Sequence, residues 1–371
     1  MASRVHLLSL TQSRRKSPLA LFAPMLRAAG LPGVIGEGDI VAVKLHVGEP
    51  GNLAYIRPPY AEAVVDLVRE LGGKPFLTDS TTLYTGRRRN GLDLVRTAER
   101  HGFAGVNVGA PFLPADGLKG DEEVTVPSPV EGNPPVHLAA AVARSDALVC
   151  LNHFKGHEVT GFGGALKNLG MGCSTKAGKF YMHNRSRPFV NEERCTGCGR
   201  CLEWCAYGAI SLEGGTAVIL EDTCTGCAHC LMSCPENAIR FRWDRAPAEV
   251  QRRIAEYATA LTRTLKGRVF HVNFVTDVSP ACDCYPFNAP PLVQDRGILA
   301  GDDPVAVDAA SWRLVNEAPA LPGSAAEGAE PGRDKFRFMY RNVDPGVQLA
   351  EGQRLGLGTT DYELIQEVGR G

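Results

Sequence analysis

The sequence contains no apolar run of about 18 residues, which excludes a membrane-spanning helix. It also lacks an excess of either charge: 40 basic residues against 41 acidic ones give −1. No global field therefore draws the chain to nucleic acid or to an anionic membrane surface. The opening stretch, Met1 to Leu10, lacks the basic-then-apolar-then-small order of a secretory signal, so the expected compartment is the cytoplasm. Apolar material is not scarce. Of 371 residues, 44% are hydrophobic and 22% charged, enough for a large core and incompatible with wholesale disorder. At about 150 residues per domain the length suggests two or three units, although one large α/β domain can absorb most of it.

Cysteine is abundant. There are twelve, and eight of them lie between Cys195 and Cys234. In a cytosolic chain, crowded thiols point to metal or redox chemistry rather than disulfides.

Residues 1–189 read as alternating strands and helices. Apolar runs at Val5–Leu8, Ile40–Leu45 and Pro75–Leu77 are short and bounded by Gly or Pro, as strands are. Pro59 to Leu71 carries Ala61, Val64, Val65 and Val68 at helical spacing and stops at Gly72-Gly73. Gly91 to Arg100 repeats the pattern. Such alternation predicts a mostly parallel sheet with helices on both faces. Ala110 to Pro135, rich in Pro, Gly and acid, reads as an exposed excursion. Val136 to Arg144 reads as a helix feeding a strand at Ala147 to Leu151. The same grammar returns in residues 243–371, with a helix over Pro247 to Leu265 and a strand over Arg268 to Val275. Asp303-Pro304 reads as a cap and first-turn proline opening a helix through about Val315. The Ala/Gly/Pro-rich stretch 317–333 reads as a mobile loop.

Residues 190–242 differ. The segment Cys195-Thr-Gly-Cys-x-x-Cys-Leu-x-x-Cys-x-x-x-Ala-Ile210 recurs as Cys224 to Ile239, displaced throughout by 29 residues. Two copies are too few for a solenoid and fit a small pseudo-twofold module inserted in the α/β domain. Each copy reads C-x2-C-x2-C-x3-C, the spacing of bacterial-type ferredoxins that hold [4Fe-4S] clusters. Three thiolates two residues apart wrap one face of a cubane, with Gly197 and Gly226 letting the backbone turn. The fourth thiolate of each copy serves the other cluster. One cluster is then expected on Cys195, Cys198, Cys201 and Cys234, and a second on Cys224, Cys227, Cys230 and Cys205. The second copy ends Cys234-Pro235 as the pattern expects, whereas the first ends Cys205-Ala206, which loosens the turn without removing a ligand. Zinc also uses C-x2-C pairs, but two cross-matched four-cysteine blocks exceed what zinc spacing requires. Two cubanes of about −2 each would take the chain from −1 to about −5.

Four polar motifs follow the expected strands: Lys44-Leu-His46-Val-Gly-Glu49, Thr78-Asp79-Ser-Thr-Thr82, Asn152-His153-Phe-Lys155-Gly-His157-Glu158, and Asp277-Val-Ser-Pro-Ala-Cys282-Asp283-Cys284. In an open parallel sheet the carboxyl ends of the strands share one crevice, so these motifs are expected to converge. Cys282 and Cys284, beside Asp283, can hold a metal, with His153, His157 or His183 as further ligands. His153 and His157 stand four apart, but Gly156 between them favours a loop over a shared helix face. The run Gly161-Phe-Gly163-Gly164-Ala-Leu-Lys167-Asn168-Leu-Gly170-Met-Gly172-Cys173 is expected to open a short helix whose free N–H groups, with Lys167, cradle an anion. It matches neither the dinucleotide fingerprint nor the P-loop. Lys176, Lys179, Arg185 and Arg187 read as a solvated basic face.

Together, the stretches from Asn152 to His157 and from Gly161 to Cys173, the cysteine repeat, Cys282-Asp-Cys284 and Asp303-Pro-Val-Ala-Val-Asp308 resemble the domain-of-unknown-function 362 family in its ferredoxin-containing form. The resemblance implies the fused architecture and the cluster ligands; it implies no reaction or substrate.

The resulting expectation is an iron–sulfur oxidoreductase that couples two [4Fe-4S] clusters to a pocket in the α/β domain. The catalytic candidates are His153, Lys155, His157, Lys167, Cys282, Asp283 and Cys284. The cofactor-binding candidates are Gly163, Gly164, Lys167 and Cys173. A further metal or a flavin is left open. The expected partner is a redox protein or a small anionic substrate. The alternatives are a non-catalytic ferredoxin-type carrier or adaptor that docks a redox partner, and an assembly factor that delivers metal through Cys282 and Cys284.

Overall fold

Strands of a sheet covered on both faces must be apolar at successive positions rather than alternate ones. Ala147–His153 and Val269–Val275 satisfy this, with every residue of both buried. A computed structural model describes residues 2–10, 17–84, 86–184, 187–205, 207–224, 229–242 and 245–366, and sets these two strands side by side within an eight-stranded sheet. Across the sheet the order is Tyr362–Gln366, Ser3–Ser9, Gly297–Gly301, Val269–Val275, Ala147–His153, Ile40–Lys44, Lys74–Asp79 and Phe112–Pro114. Gly297–Gly301 runs against both of its neighbours; every other pair is parallel. The sheet is mostly parallel, as the sequence predicts.

Alternate residues of each strand feed separate cores. Val149 and Leu151 pack with Phe22, Val64 and Leu94 of helices Pro18–Ala28, Pro58–Glu70 and Gly91–Ala98. Leu148 and Cys150 pack with Leu166, Ile254 and Val307 of helices Ala165–Gly170, Pro247–Thr264 and Pro304–Glu317. Helices thus cover both faces. Each fully buried Leu, Val or Phe contributes about 1.5–3 kcal/mol, more than the propensity differences that favour one helix boundary over another. Asp303 caps its helix by accepting the N–H groups of Val305 and Ala306, both at 2.9 Å.

Three expectations are corrected. Val136 to Arg144 is not one helix: Val136–Ala139 is a strand paired with Glu123–Val126, and Ala140–Ala143 alone is helical. Val136 and Leu138 are buried and His137 between them less so, a period of two rather than 3.6. The excursion from Ala110 is not wholly exposed, because Phe112–Pro114 extends the main sheet. Of the stretch 317–333, Glu317 ends the preceding helix and residues 318–333 form no regular element, yet Ala326 is fully buried in the core.

The described residues of 189–240 pack around an apolar cluster that includes Ile210, Ala217, Leu231 and Ile239 together with Leu83 and Phe180 from the preceding chain. Phe189 pairs with Arg240 and Val190 with Ile239. Shifting each partner of the first pair by the 29-residue repeat gives Val218 and Ser211, which also pair. Helices Arg200–Glu203 and His229–Ser233 are related by the same shift. The repeat in sequence is therefore a repeat in structure. Among the described residues, no helix is long and apolar enough to cross a membrane.

Candidate functional site

The carboxyl ends of three parallel strands deliver Lys44, Asp79 and His153, and the loop after Val269–Val275 delivers Cys282 and Cys284. All five line one cavity of about 960 Å³. Lys155, His157, Gly163, Gly164 and Lys167 line it too. The four motifs converge, with His153 and Cys282 sharing a wall. Cys173 and Asp283 do not line it. Cys173 is fully buried, its thiol 3.6 Å from the carbonyl of Asn168.

Local sequence explains the convergence. The Gly156 N–H donates to the Ser279 carbonyl at 2.8 Å, and a Cβ on Gly156 would stand 2.0 Å from the Pro280 carbonyl oxygen. Only glycine lets the His153–His157 segment lie against the cysteine loop. His153 and His157 sit on extended backbone, as Gly156 suggests, and share no helix face. The helix expected to present free N–H groups does not: Asp308 accepts from Ala165 N at 2.7 Å and from Leu166 N at 2.9 Å. Its carboxylate occupies the place reserved for an anion. Burial pushes the Asp308 carboxyl up to about 6.

The wall is a network of buried charge. Lys44 Nζ lies 2.9 Å from Asp79 Oδ1, and Arg88 Nε lies 2.9 Å from Glu49 Oε2. Burial raises the Asp79 carboxyl pKa, but Lys44, His46 and Arg88 outweigh it and the net direction is down. Asp283, behind the wall, holds His153 Nδ1 at 2.9 Å and Lys155 Nζ at 3.0 Å. His153 Nε2 meets the Thr276 carbonyl at 2.9 Å. Both ring nitrogens of His153 are thus engaged by oxygen atoms of the surrounding protein rather than turned to a metal.

A different histidine approaches the cysteines. His46 Nε2, Cys282 Sγ and Cys284 Sγ lie within 4.8 Å of one another, close enough to share an ion. The other ring nitrogen argues against that. His46 Nδ1 accepts the Gly48 N–H at 3.0 Å, so a neutral ring carries its proton on Nε2, 3.5 Å from Cys284 Sγ. Burial, aided by Arg88, keeps the ring neutral by lowering its pKa. A ligating histidine ordinarily donates its second N–H to an acceptor; here that position meets a donor. The Nε2 proton can point to Cys284 Sγ, and Arg88 Nη1 also lies 3.3 Å from Nε2. Hydrogen bonding from Cys282, with His46, holds the Cys284 thiol well below the ordinary range and leaves Cys282 correspondingly raised.

In the 189–240 segment, Cys195, Cys198, Cys201 and Cys234 line a single cavity. Three come from the first repeat and one from the second. Backbone N–H groups meet the sulfurs: Ala217 to Cys195 at 3.4 Å, Ala209 to Cys205 at 3.2 Å and Ala238 to Cys234 at 3.2 Å. The last two are again related by the repeat. Cys205 and Cys230 belong to the apolar cluster shared with Leu83 and Phe180. Cys227 and Gly226 lie outside the described residues, as does Arg185. Lys176 and Lys179 are buried and form no solvated face: Lys176 Nζ is taken up by the carbonyls of Arg89 and Lys119.

Lys44, His46 and Asp79 stand in motifs that the sequence singles out, without being read as site residues. Lys179 is read from the sequence only as part of a basic face, and Arg88 and Tyr84 carry no signal; tertiary packing brings all three to the cavity.

A family profile described as "Domain of unknown function (DUF362)" matches residues 41–313. No curated protein matches the chain. Among solved structures, the chain is similar to the lactate racemase apoprotein from Thermoanaerobacterium thermosaccharolyticum, at 11% identity and a TM-score of 0.36 over 74% of this chain and 51% of that one. It is also similar to a protein from Thermotoga maritima, at 13% identity and a TM-score of 0.38 over 72% and 52%. The chain spans about half the length of each.

Proposed function

Since the chain belongs to the domain of unknown function 362 family, a family with no reaction in its name, we propose from its residues that it is an iron–sulfur oxidoreductase. In this reading two [4Fe-4S] clusters exchange electrons with a substrate in the α/β cavity. Cys195, Cys198, Cys201 and Cys234 would hold one cluster, and Cys224, Cys227, Cys230 and Cys205 the other. Such clusters supply single electrons, usually at low potential.

The supporting observation is that the first four thiols, drawn from both repeats, line one cavity. The N–H groups of Ala209, Ala217 and Ala238 would stabilise charge on the sulfurs and so tune the potential. Leu83 packs in the same apolar cluster as Cys201 and Cys230 and also lines the α/β cavity, so one side chain links the cysteine segment to that cavity. Around that cavity Asp283 orients His153 and Lys155, and His46 stabilises Cys284.

Anaerobic purification followed by iron and sulfide analysis tests the reading. About eight of each per chain are expected, with paramagnetic resonance signals on reduction. Zinc in place of iron would overturn it. The carrier alternative draws on Phe189, Tyr207, Leu212 and Leu220, large apolar side chains that the cysteine segment exposes and that suit a docked protein partner.

A further inference from the structure

Seven lysines and arginines line the α/β cavity against three carboxylates. Two of those carboxylates are already engaged, Asp79 by Lys44 and Glu49 by Arg88. The third, on Glu158, accepts the Tyr285 hydroxyl at 3.1 Å. Lys155 is matched from behind by Asp283. Lys167 and Lys179 have no carboxylate within ion-pair distance among the described residues. Lys179 Nζ donates to Ser80 Oγ at 2.8 Å and to the Ser174 carbonyl. Lys167 Nζ lies 4.0 Å from Cys282 Sγ. Cys282, Cys284, Glu158 and Asp283 together keep the buried Lys167 charged, and seven cations against three carboxylates leave the cavity wall net positive.

The histidines of the wall are set to donate as well. His157 Nδ1 accepts the N–H groups of Val159 at 3.2 Å and Thr160 at 3.3 Å, as His46 Nδ1 accepts that of Gly48. A neutral His157 therefore carries its proton on Nε2 and cannot serve there as a base. Burial, then Lys167, holds its pKa well below the ordinary value. Leu83, Val159, Met171 and Val250 supply apolar surface in the same cavity.

We infer that the cavity binds an organic anion, its carboxylate or equivalent oxyanion head on Lys167 with the His157 Nε2–H as a neutral donor, and its body against the apolar residues. This deepens the redox reading by naming the class of substrate, and rests on that reading only for what is then done to the bound anion. A charge-assisted contact of this kind is about twice as strong as a neutral one.

Calorimetric titration of the full-length, anaerobically purified protein with benzoate, benzamide and benzylamine at one ionic strength tests the inference. Benzoate is expected to bind saturably, and its neutral and cationic analogues at least about tenfold more weakly. Lys167→Met should weaken benzoate by at least about tenfold. His157→Gln, which keeps an amide donor, should retain more affinity than His157→Leu. No benzoate binding, equal binding of benzylamine, or full affinity in Lys167→Met would overturn the inference. If a variant fails to fold, the three-probe comparison on the unaltered protein decides. Iron is measured on the same sample: anion binding without iron sinks the redox reading alone, and iron without anion binding sinks this inference alone.

Discussion

Asp283 places both carboxylate oxygens on the same imidazole nitrogen, 3.0 and 2.9 Å from Nδ1 of His153, and takes the Lys155 ammonium at 3.0 Å. It is fully buried. Burial alone would raise its pKa, but the charges of His153 and Lys155 hold the carboxyl well below its ordinary value. Asp283→Asn leaves the buried Lys155 ammonium and His153 Nδ1 without their carboxylate partner and is expected to cost about 3–5 kcal/mol of folding stability. A lowered native pKa contributes stability above the unfolded value of about 3.9 and loses it as pH falls through the native value. Urea unfolding should therefore show the wild-type advantage intact at neutral pH and shrinking in strong acid; a variant as stable as the parent at neutral pH would refute this account.

His271 behaves in the opposite way to a stabilising ion pair. Neither ring nitrogen has a partner among the described residues, and burial lowers its pKa to about 3. The unfolded chain takes up a proton near pH 6.5 that the folded chain refuses. This group therefore leaves stability unaffected above the unfolded value and removes it as pH falls toward the native one. His271→Leu should abolish about 1.4 kcal/mol of the drop in unfolding free energy between about pH 7.5 and about pH 5.5. Parallel denaturation curves at those two pH values measure it, and an unchanged slope in the variant counts against the assignment.

Cys198 and Cys234 are 36 residues apart by number and in different repeats, yet they line one cavity. Cys198→Ser and Cys234→Ser should each deplete the same half of the iron and erase the same paramagnetic signal. Cys205→Ser should erase the other. Assignment of Cys234 to the signal governed by Cys205 would break the crossed pairing.

A Cβ on Gly164 would lie 2.2 Å from Asp308 Oδ1. Gly164→Ala should displace the carboxylate that caps Ala165 and Leu166, at about 1–3 kcal/mol, and shift the helix that carries Lys167. Benzoate affinity would fall together with stability. A neutral outcome in both measurements would show that the cap adjusts freely.

A zinc or cobalt titration checks the His46 hydrogen bond. Because Nδ1 is committed to Gly48, no tight cobalt site with sulfur charge-transfer bands is expected at Cys282 and Cys284 once cluster-bound metal is accounted for. His46→Ala should instead raise the Cys284 thiol pKa, read from the pH dependence of its alkylation. Appearance of such bands, and their loss in that variant, would favour metal.

The cysteine repeat was legible because its spacing is local: residues three and four apart meet whatever the rest of the chain does. The convergence of the polar motifs was legible for a topological reason, since parallel strands end on the same side. Which histidine meets Cys284 was not. His46 and His153 both follow central strands, and the choice rests on Gly48 and Asp283 securing the two rings differently. Asp308 filling the helix start at Ala165 was equally hidden, since 143 residues separate the partners. Lys176 and Lys179 look like surface residues by composition; the carbonyls and hydroxyls that receive them come from distant segments. The Pro18–Ala28 helix went unread, although Ser17 before proline caps it, accepting the Ala20 N–H at 3.2 Å.

Phe189 faces Arg240 across one ladder, so the two ends of the cysteine segment stand a single strand's width apart, about 5 Å. That gap is not its sole tie to the sheet domain: Arg89 reaches Asn237 and the Leu231 carbonyl, and Leu83 and Phe180 lie in the segment's apolar cluster. Bridging Val190 to Ile239 with a tight turn would therefore close the gap but strip the cover from Leu83 and Phe180.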